Sequence, residues 1–129
     1  MILAIDPGSE KCGIAILNNN ASTQLRKIIP RQEIISAIKT LLSQYNISKI
    51  VIGKGHFGKE IEKEITQIYD RINIIFVDEK HSTLLARQKY WESNPPKGFW
   101  KLIPTAWRVP PVPIDDFAAQ ILGERYFKG

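Results

Sequence analysis

Ile2-Leu3-Ala4-Ile5-Asp6-Pro7-Gly8-Ser9-Glu10-Lys11-Cys12-Gly13-Ile14-Ala15-Ile16-Leu17 decides the fold of this chain. Two apolar runs flank a short turn, so the stretch reads as two paired strands. Pro7-Gly8-Ser9 is turn chemistry, with Gly8 free to take positive φ. The first run, Ile2 to Asp6, is apolar at consecutive positions, as a strand buried on both faces would be. It closes on a carboxylate. A buried strand rarely ends in a lone acid unless something cationic meets it there.

Outward from this hairpin, Cys12 to Leu17 is the second strand and Thr23 to Ile29 a third, joined by the polar turn Asn18-Asn19-Asn20. Pro30 is expected to start a helix, where proline is tolerated. Ile34, Ile35, Ile38, Leu41, Leu42 and Tyr45 share a face of that helix. Ile47 to Gly53 is a fourth strand, followed by the glycine loop Gly53-Lys54-Gly55-His56-Phe57-Gly58. The next helix carries Ile61, Ile65, Ile68, Tyr69 and Ile72 on one face. Asn73 to Glu79 is a fifth strand. Ser82 or Thr83 would cap a third helix. A segment rich in Pro, Lys and aromatics runs from Ser93 to Pro113, and a last helix spans about Ile114 to Phe127. The first three strands form an antiparallel meander. Helices separate the later strands, which should be parallel. The expected class is α/β, a mixed sheet flanked by helices, in one domain over residues 1–129.

Composition narrows the function. Apolar content of 43% and charged content of 24% are ordinary for a globular protein. No apolar stretch reaches the roughly 18 residues of a membrane span. The first strand begins at once, without the marks of a signal peptide. Cys12 is the one cysteine, which excludes an intrachain disulfide and a cysteine zinc cluster. A cytoplasmic location is expected. The net charge of +5 favours polyanionic partners. Between Lys80 and Pro113 the basic residues Lys80, Arg87, Lys89, Lys97, Lys101 and Arg108 face a single acid, Glu92.

Three acids sit at element ends: Asp6 and Glu79 close strands, and Asp115 opens the last helix. In mixed α/β sheets, sites gather at the carboxyl ends of parallel strands. Phosphodiester hydrolysis needs a water made nucleophilic and a leaving oxygen relieved of charge. Two Mg²⁺ or Mn²⁺ ions about 3.5–4 Å apart supply both, and such hard cations take oxygen ligands. Asp115, Ala118, Ala119 and Leu122 share a helix face, and the small alanines would let that helix lie close to the sheet. Asp116 points about 100° away and is the weaker ligand candidate. Asp78 should face away from Glu79.

The motifs Asp6-Pro-Gly-Ser-Glu-Lys-Cys-Gly-Ile-Ala-Ile, Val77-Asp-Glu-Lys-His-Ser-Thr and Ile114-Asp-Asp-Phe-Ala-Ala-Gln-Ile-Leu, in this order, resemble the YqgF family. That family belongs to the ribonuclease H-like superfamily and is related to Holliday-junction resolvases. The resemblance covers roughly residues 1–90 and 112–128. It implies a five-stranded sheet of order 3-2-1-4-5 and a metal-dependent nuclease, with processing of the 16S ribosomal RNA precursor as the role usually attached to the family. In the family's register, the acids fall on Asp6, Glu79 and Asp115. The chain departs from the pattern at Gly53-Lys54-Gly55, where the family usually has Gly-Leu-Pro. It also departs in the long aromatic segment from Ser93 to Pro113.

Asp6, Glu79 and Asp115 are therefore expected to be both the metal ligands and the catalytic acids. Lys11, Lys54, His81, Arg87, Lys101 and Arg108 are expected to contact nucleic acid. The glycine loop around Lys54 would offer backbone amides to a phosphate, and His81 would stand near the acids. Trp91, Phe99, Trp100 and Trp107 alternate with cations, a pattern that stacks bases or packs the segment onto the core. Cys12 should be a small core residue. The expected partner is structured RNA or branched DNA, and a homodimer would suit a two-fold junction. The alternative is a ribonuclease H-like module that binds nucleic acid without cutting it. A sugar-kinase or actin-like ATPase uses a related hairpin but needs two lobes, which a chain of this length does not supply.

Overall fold

The computed structural model describes residues 1–78, 82–94 and 114–128. Strands β1 (Ile2–Asp6), β2 (Lys11–Leu17) and β3 (Thr23–Pro30) lead into a 3-10 turn (Arg31–Glu33) and helix α1 (Ile34–Gln44). Strand β4 (Lys49–Gly53), helix α2 (His56–Thr66) and strand β5 (Asn73–Val77) follow. Helices α3 (Ser82–Ser93) and α4 (Asp115–Lys128) complete the described elements. The sheet has five strands in the order β3-β2-β1-β4-β5. β1 pairs antiparallel with β2 and parallel with β4, and β4 pairs parallel with β5. This is the α/β class and the strand order expected above.

Each face of the sheet has its own covering, set by residue size. One face presents Leu3, Ile5, Ile14, Ile16, Ile50 and Ile52, with Cys12 among them. Ile34, Ile38 and Leu41 of α1 and Ile61 and Ile65 of α2 pack on it. The opposite face is built from smaller groups: Ala4 and Ala15 beside Ile2, Leu17 and Val51. Helix α4 lies there through Ala119, with Tyr126 and Phe127 at its far end. Helix α3 packs on α4. Its Ala86 and Tyr90 pack on the outer side of α4, against Phe117, Ala118 and Ile121. Burying a large aliphatic side chain is worth about 1.5–3 kcal/mol, so the isoleucine-rich layer under α1 and α2 dominates stability. The alanine layer instead governs how near α4 approaches.

Three local readings need correction: α2 ends at Thr66, so Ile68, Tyr69 and Ile72 lie beyond it and Ile68 is exposed, and the other two concern Pro30 and Gly8. Pro30 ends β3 rather than starting a helix: it pairs with Lys11, and its ψ of 141° is extended. β3 is an edge strand, where proline's missing N–H costs little. Gly8 does not have positive φ, since Gly55 is the described glycine that does. Gly8 is needed for space, because a Cβ there would sit 2.4 Å from the Lys11 carbonyl oxygen. In the β2–β3 turn, the left-handed position falls on Ala21, at φ 67°. There Asn18 Oδ1 and Asn20 Oδ1 both accept the Ser22 N–H.

Candidate metal centre

Asp6 is the last residue of β1 and pairs across the ladder with Gly13 of β2. Paired residues point to the same face. The alternation Ile2, Ala4, Asp6 therefore places Asp6 on the face covered by α4. Gly13 has no side chain to hold that helix away. A Cβ built on it would lie 1.8 Å from the carbonyl oxygen of Asp115 and 2.8 Å from the Asp116 nitrogen. The first turn of α4 therefore rests on the strand backbone beside Asp6. A glycine inside a strand marks such a close approach, a signal present in the sequence beside that of the helix alanines.

The acids at the start of α4 differ in surroundings. The Asp115 side chain is 31% exposed as a whole, and Lys11 Nζ stands 3.5 Å from its Oδ2. That oxygen is itself buried and accepts no hydrogen bond among the described residues. A 3.5 Å separation is longer than a strong charge-assisted hydrogen bond. Asp116 turns elsewhere. Its Oδ1 accepts the Phe117 N–H at 3.0 Å, and it lines a cleft of about 530 Å³ with Arg26 and Gln120. Both acids favour the helix dipole from the first turn, as Arg125 and Lys128 do from the last. The far end of α4 is tied down by Arg125 Nη1 donating to the Asp78 carbonyl at 2.6 Å and Lys49 Nζ donating to the Tyr126 hydroxyl at 2.6 Å.

A cleft of about 230 Å³ opens beside Asp115, walled by Gly8, Ser9, Glu10 and Lys11. Beneath the turn, on the opposite face, lies Cys12, fully buried. Burial pushes its thiol pKa up from the ordinary 9.0, and the nearby Asp6 and Asp115 carboxylates push it the same way. A Gly8 backbone hydrogen bond and the Arg31 charge oppose the shift.

The end of β4 adjoins this corner. Ile5 pairs with Ile52 and Gly53 with Val77, which sets the three parallel strand ends side by side. Val77 packs on the α4 face. Lys54 donates its backbone N–H to the Val77 carbonyl at 2.9 Å. With His56, Lys59 and Phe76 it lines a cleft of about 560 Å³ at the start of α2. The expected Glu79, His81, Lys101 and Arg108 lie outside the described residues, as do Phe99, Trp100 and Trp107. Arg87 lies on α3, but its side chain is outside the described set. Trp91 packs edge-on to Tyr90, with ring centres 5.0 Å apart.

Among the described residues, no three His, Cys, Asp or Glu side chains form a group that would hold a metal. The described members of the expected set are Asp6 and Asp115. Their chemistry suits a hard cation: carboxylate oxygens, one of them buried without a hydrogen bond, at the mouth of a cleft. Among the described residues, no helix is long and apolar enough to cross a membrane.

A five-stranded 3-2-1-4-5 sheet with helices on both faces and an acid closing its central strand defines a ribonuclease H-like protein. The model of the RuvX family, described as Holliday junction resolvase, matches residues 1–129, and the chain belongs to that family. This is the YqgF family of the resemblance, and membership makes the protein a nuclease by class. A curated protein of a Sulfurihydrogenibium species, named "Putative pre-16S rRNA nuclease", is 33% identical over 101 residues, covering 67% of this chain and 70% of that protein. A Dictyoglomus turgidum protein of the same name is 29% identical over 108 residues, covering 72% and 76%.

Proposed function

We propose that residues 1–129 act as one domain that hydrolyses phosphodiester bonds in structured nucleic acid with the aid of Mg²⁺ or Mn²⁺. One observation carries the reading: the glycine contact at position 13 brings the start of α4, and with it Asp115, onto the strand pair that ends in Asp6. Nothing in the folding of an isolated α/β sheet asks for two acids at one corner. Like charges brought together are costly unless a cation balances them. Glu79 completes the ligand set in this proposal, two residues along the chain from Val77.

Bound divalent ions would make a water nucleophilic and take up charge on the leaving oxygen. The chain's own residues bind and orient. Asp6, Glu79 and Asp115 hold the ions in this reading, and the β1–β2 ladder keeps Asp6 in place. Lys11 and Lys54 meet the phosphate backbone, joined by His81, Arg87, Lys101 and Arg108. Such contacts position a nucleic acid without reading its sequence. The names carried by the relatives, and the family description, point to a ribosomal RNA precursor or a four-way DNA junction as substrate. The proposed place of action is the cytoplasm, and a homodimer would match a two-fold junction.

The test incubates the purified chain with a 16S ribosomal RNA precursor and with a four-way DNA junction, each in Mg²⁺, Mn²⁺ or EDTA, beside Glu79→Gln. Cleavage that needs the metal and is lost in the variant supports the proposal, and the preferred substrate names the class. Binding of either nucleic acid without cleavage in any metal would leave a binding module and defeat it.

A further inference from the structure

We infer that Lys11 competes with the metal for Asp115: its ammonium neutralises that acid in the metal-free protein, and metal entry displaces it. The inference rests on the reading of Asp6, Glu79 and Asp115 as a cation site. Lys11 opens β2 two residues before Gly13, so strand alternation sets it on the same face as Asp6 and the α4 contact. Its Nζ lies 3.5 Å from Asp115 Oδ2. That oxygen is buried and has no hydrogen bond among the described residues. A buried carboxylate oxygen without a hydrogen bond is costly, and the nearby ammonium relieves it.

The pair is also built to yield. The Lys11 side chain is 48% exposed, and half-exposed ion pairs are weak. Lysine is a point charge on a flexible stem, whereas an arginine would grip both oxygens. The cleft of about 230 Å³ beside the pair leaves room for the stem to swing. A divalent ion brings twice the charge to the same oxygen and repels the ammonium. The displaced ammonium stays tethered at the start of β2, facing the cleft where a substrate phosphate would enter. Lys11 is thus a positioning residue whose charge passes from the protein's own acid to the substrate when metal binds.

Mn²⁺ titration by calorimetry tests this with wild type, Lys11→Met, Lys11→Gln, Asp115→Asn and Lys27→Met. The last removes the same charge from an exposed site on β3. Both Lys11 variants should bind Mn²⁺ about two- to five-fold more tightly than wild type, the worth of a half-exposed ion pair. Lys27→Met should leave the affinity unchanged. In EDTA the Lys11 variants should melt below wild type, and the gap should narrow as Mn²⁺ is added. Lys11 variants that bind Mn²⁺ equally or more weakly would overturn the competition while leaving the metal site intact. Mn²⁺ binding that is absent, or indifferent to Asp115→Asn, in all variants would overturn the site and the inference together.

Discussion

Replacing Gly13 with alanine should damage the site more than the fold. The added methyl would sit 1.8 Å from the Asp115 oxygen, 2.2 Å from its carbonyl carbon and 2.8 Å from the Asp116 nitrogen. All three are backbone atoms, so no side-chain rotation relieves the clash. Ordinary contact begins near 3.4 Å, and 3.4 less 1.8 requires the start of α4 to lift by about 1.6 Å. Overpacking of this kind costs about 1–3 kcal/mol, and the upper end is expected because a helix terminus must move. Displacing a catalytic group by about 1 Å costs on the order of 100-fold in rate. Gly13→Ala should therefore lose about 3 kcal/mol in urea unfolding and about 100-fold in cleavage, measured where the variant is still folded. Gly123→Ala is the control. Its methyl would meet Leu17 Cδ1 at 2.6 Å, the end of a flexible side chain. The helix gains about 1 kcal/mol from exchanging glycine for alanine, so the net change should stay within about 1 kcal/mol. A Gly13→Ala protein with wild-type stability and rate would refute the claim that this glycine sets the position of Asp115.

Ala21 sits at φ 67°, where a non-glycine residue is strained, so Ala21→Gly should raise the urea midpoint by about 0.5–1 kcal/mol equivalent. The buried Cys12 thiol has its pKa raised above 9.0. Its contribution to stability is therefore complete below pH 9.0 and lost as pH rises through the folded-state value. Alkaline unfolding curves of wild type should fall more steeply than those of Cys12→Ala, and the native thiol should react slowly with iodoacetamide. Arg31 Nη2 meets Glu64 Oε2 at 2.5 Å with the Arg31 side chain only 18% exposed. A double-mutant cycle with alanine at both positions should give a coupling of about 1 kcal/mol that weakens in high salt; a value of zero would place this contact with ordinary surface pairs.

The sheet was legible because its pattern is redundant. β1 and β2 are apolar at consecutive positions since both faces are covered, and the hairpin between them admits one pairing. The inward face of α1 followed from its isoleucine spacing, as did Ile61 and Ile65 of α2, but the same spacing runs on to Ile68, Tyr69 and Ile72, which lie beyond the end of α2 at Thr66. The height of α4 above the sheet was not legible from periodicity, which says which side of a helix faces inward but not how near it comes. That distance is set by what the strand lacks, at Gly13 and Ala15, and a reading centred on the helix alanines saw half of the contact. Pro30 misled because the same φ suits a helix start and an edge strand, and only the pairing with Lys11 separates them. Gly8 misled in a related way: its need for space comes from the Lys11 carbonyl, which sequence does not place. Asp6 and Asp115 were named from their positions at element ends, and the structure brings their elements together. Lys11 is expected from the sequence to meet a phosphate, and the structure adds an ion pair with Asp115, a pairing across about a hundred residues of chain that no local pattern encodes.

The most direct measurement is the single-turnover cleavage rate of Asp6→Asn and Asp115→Asn, in saturating Mg²⁺ or Mn²⁺, on whichever nucleic acid the wild type cuts. Circular dichroism would confirm that both variants are folded. Each should lose at least about 10²-fold in rate, as removal of a group that stabilises the reacting charge typically does, and Asp116→Asn should lose far less. A folded Asp6→Asn or Asp115→Asn protein that cleaves at the wild-type rate would contradict the metal-site account.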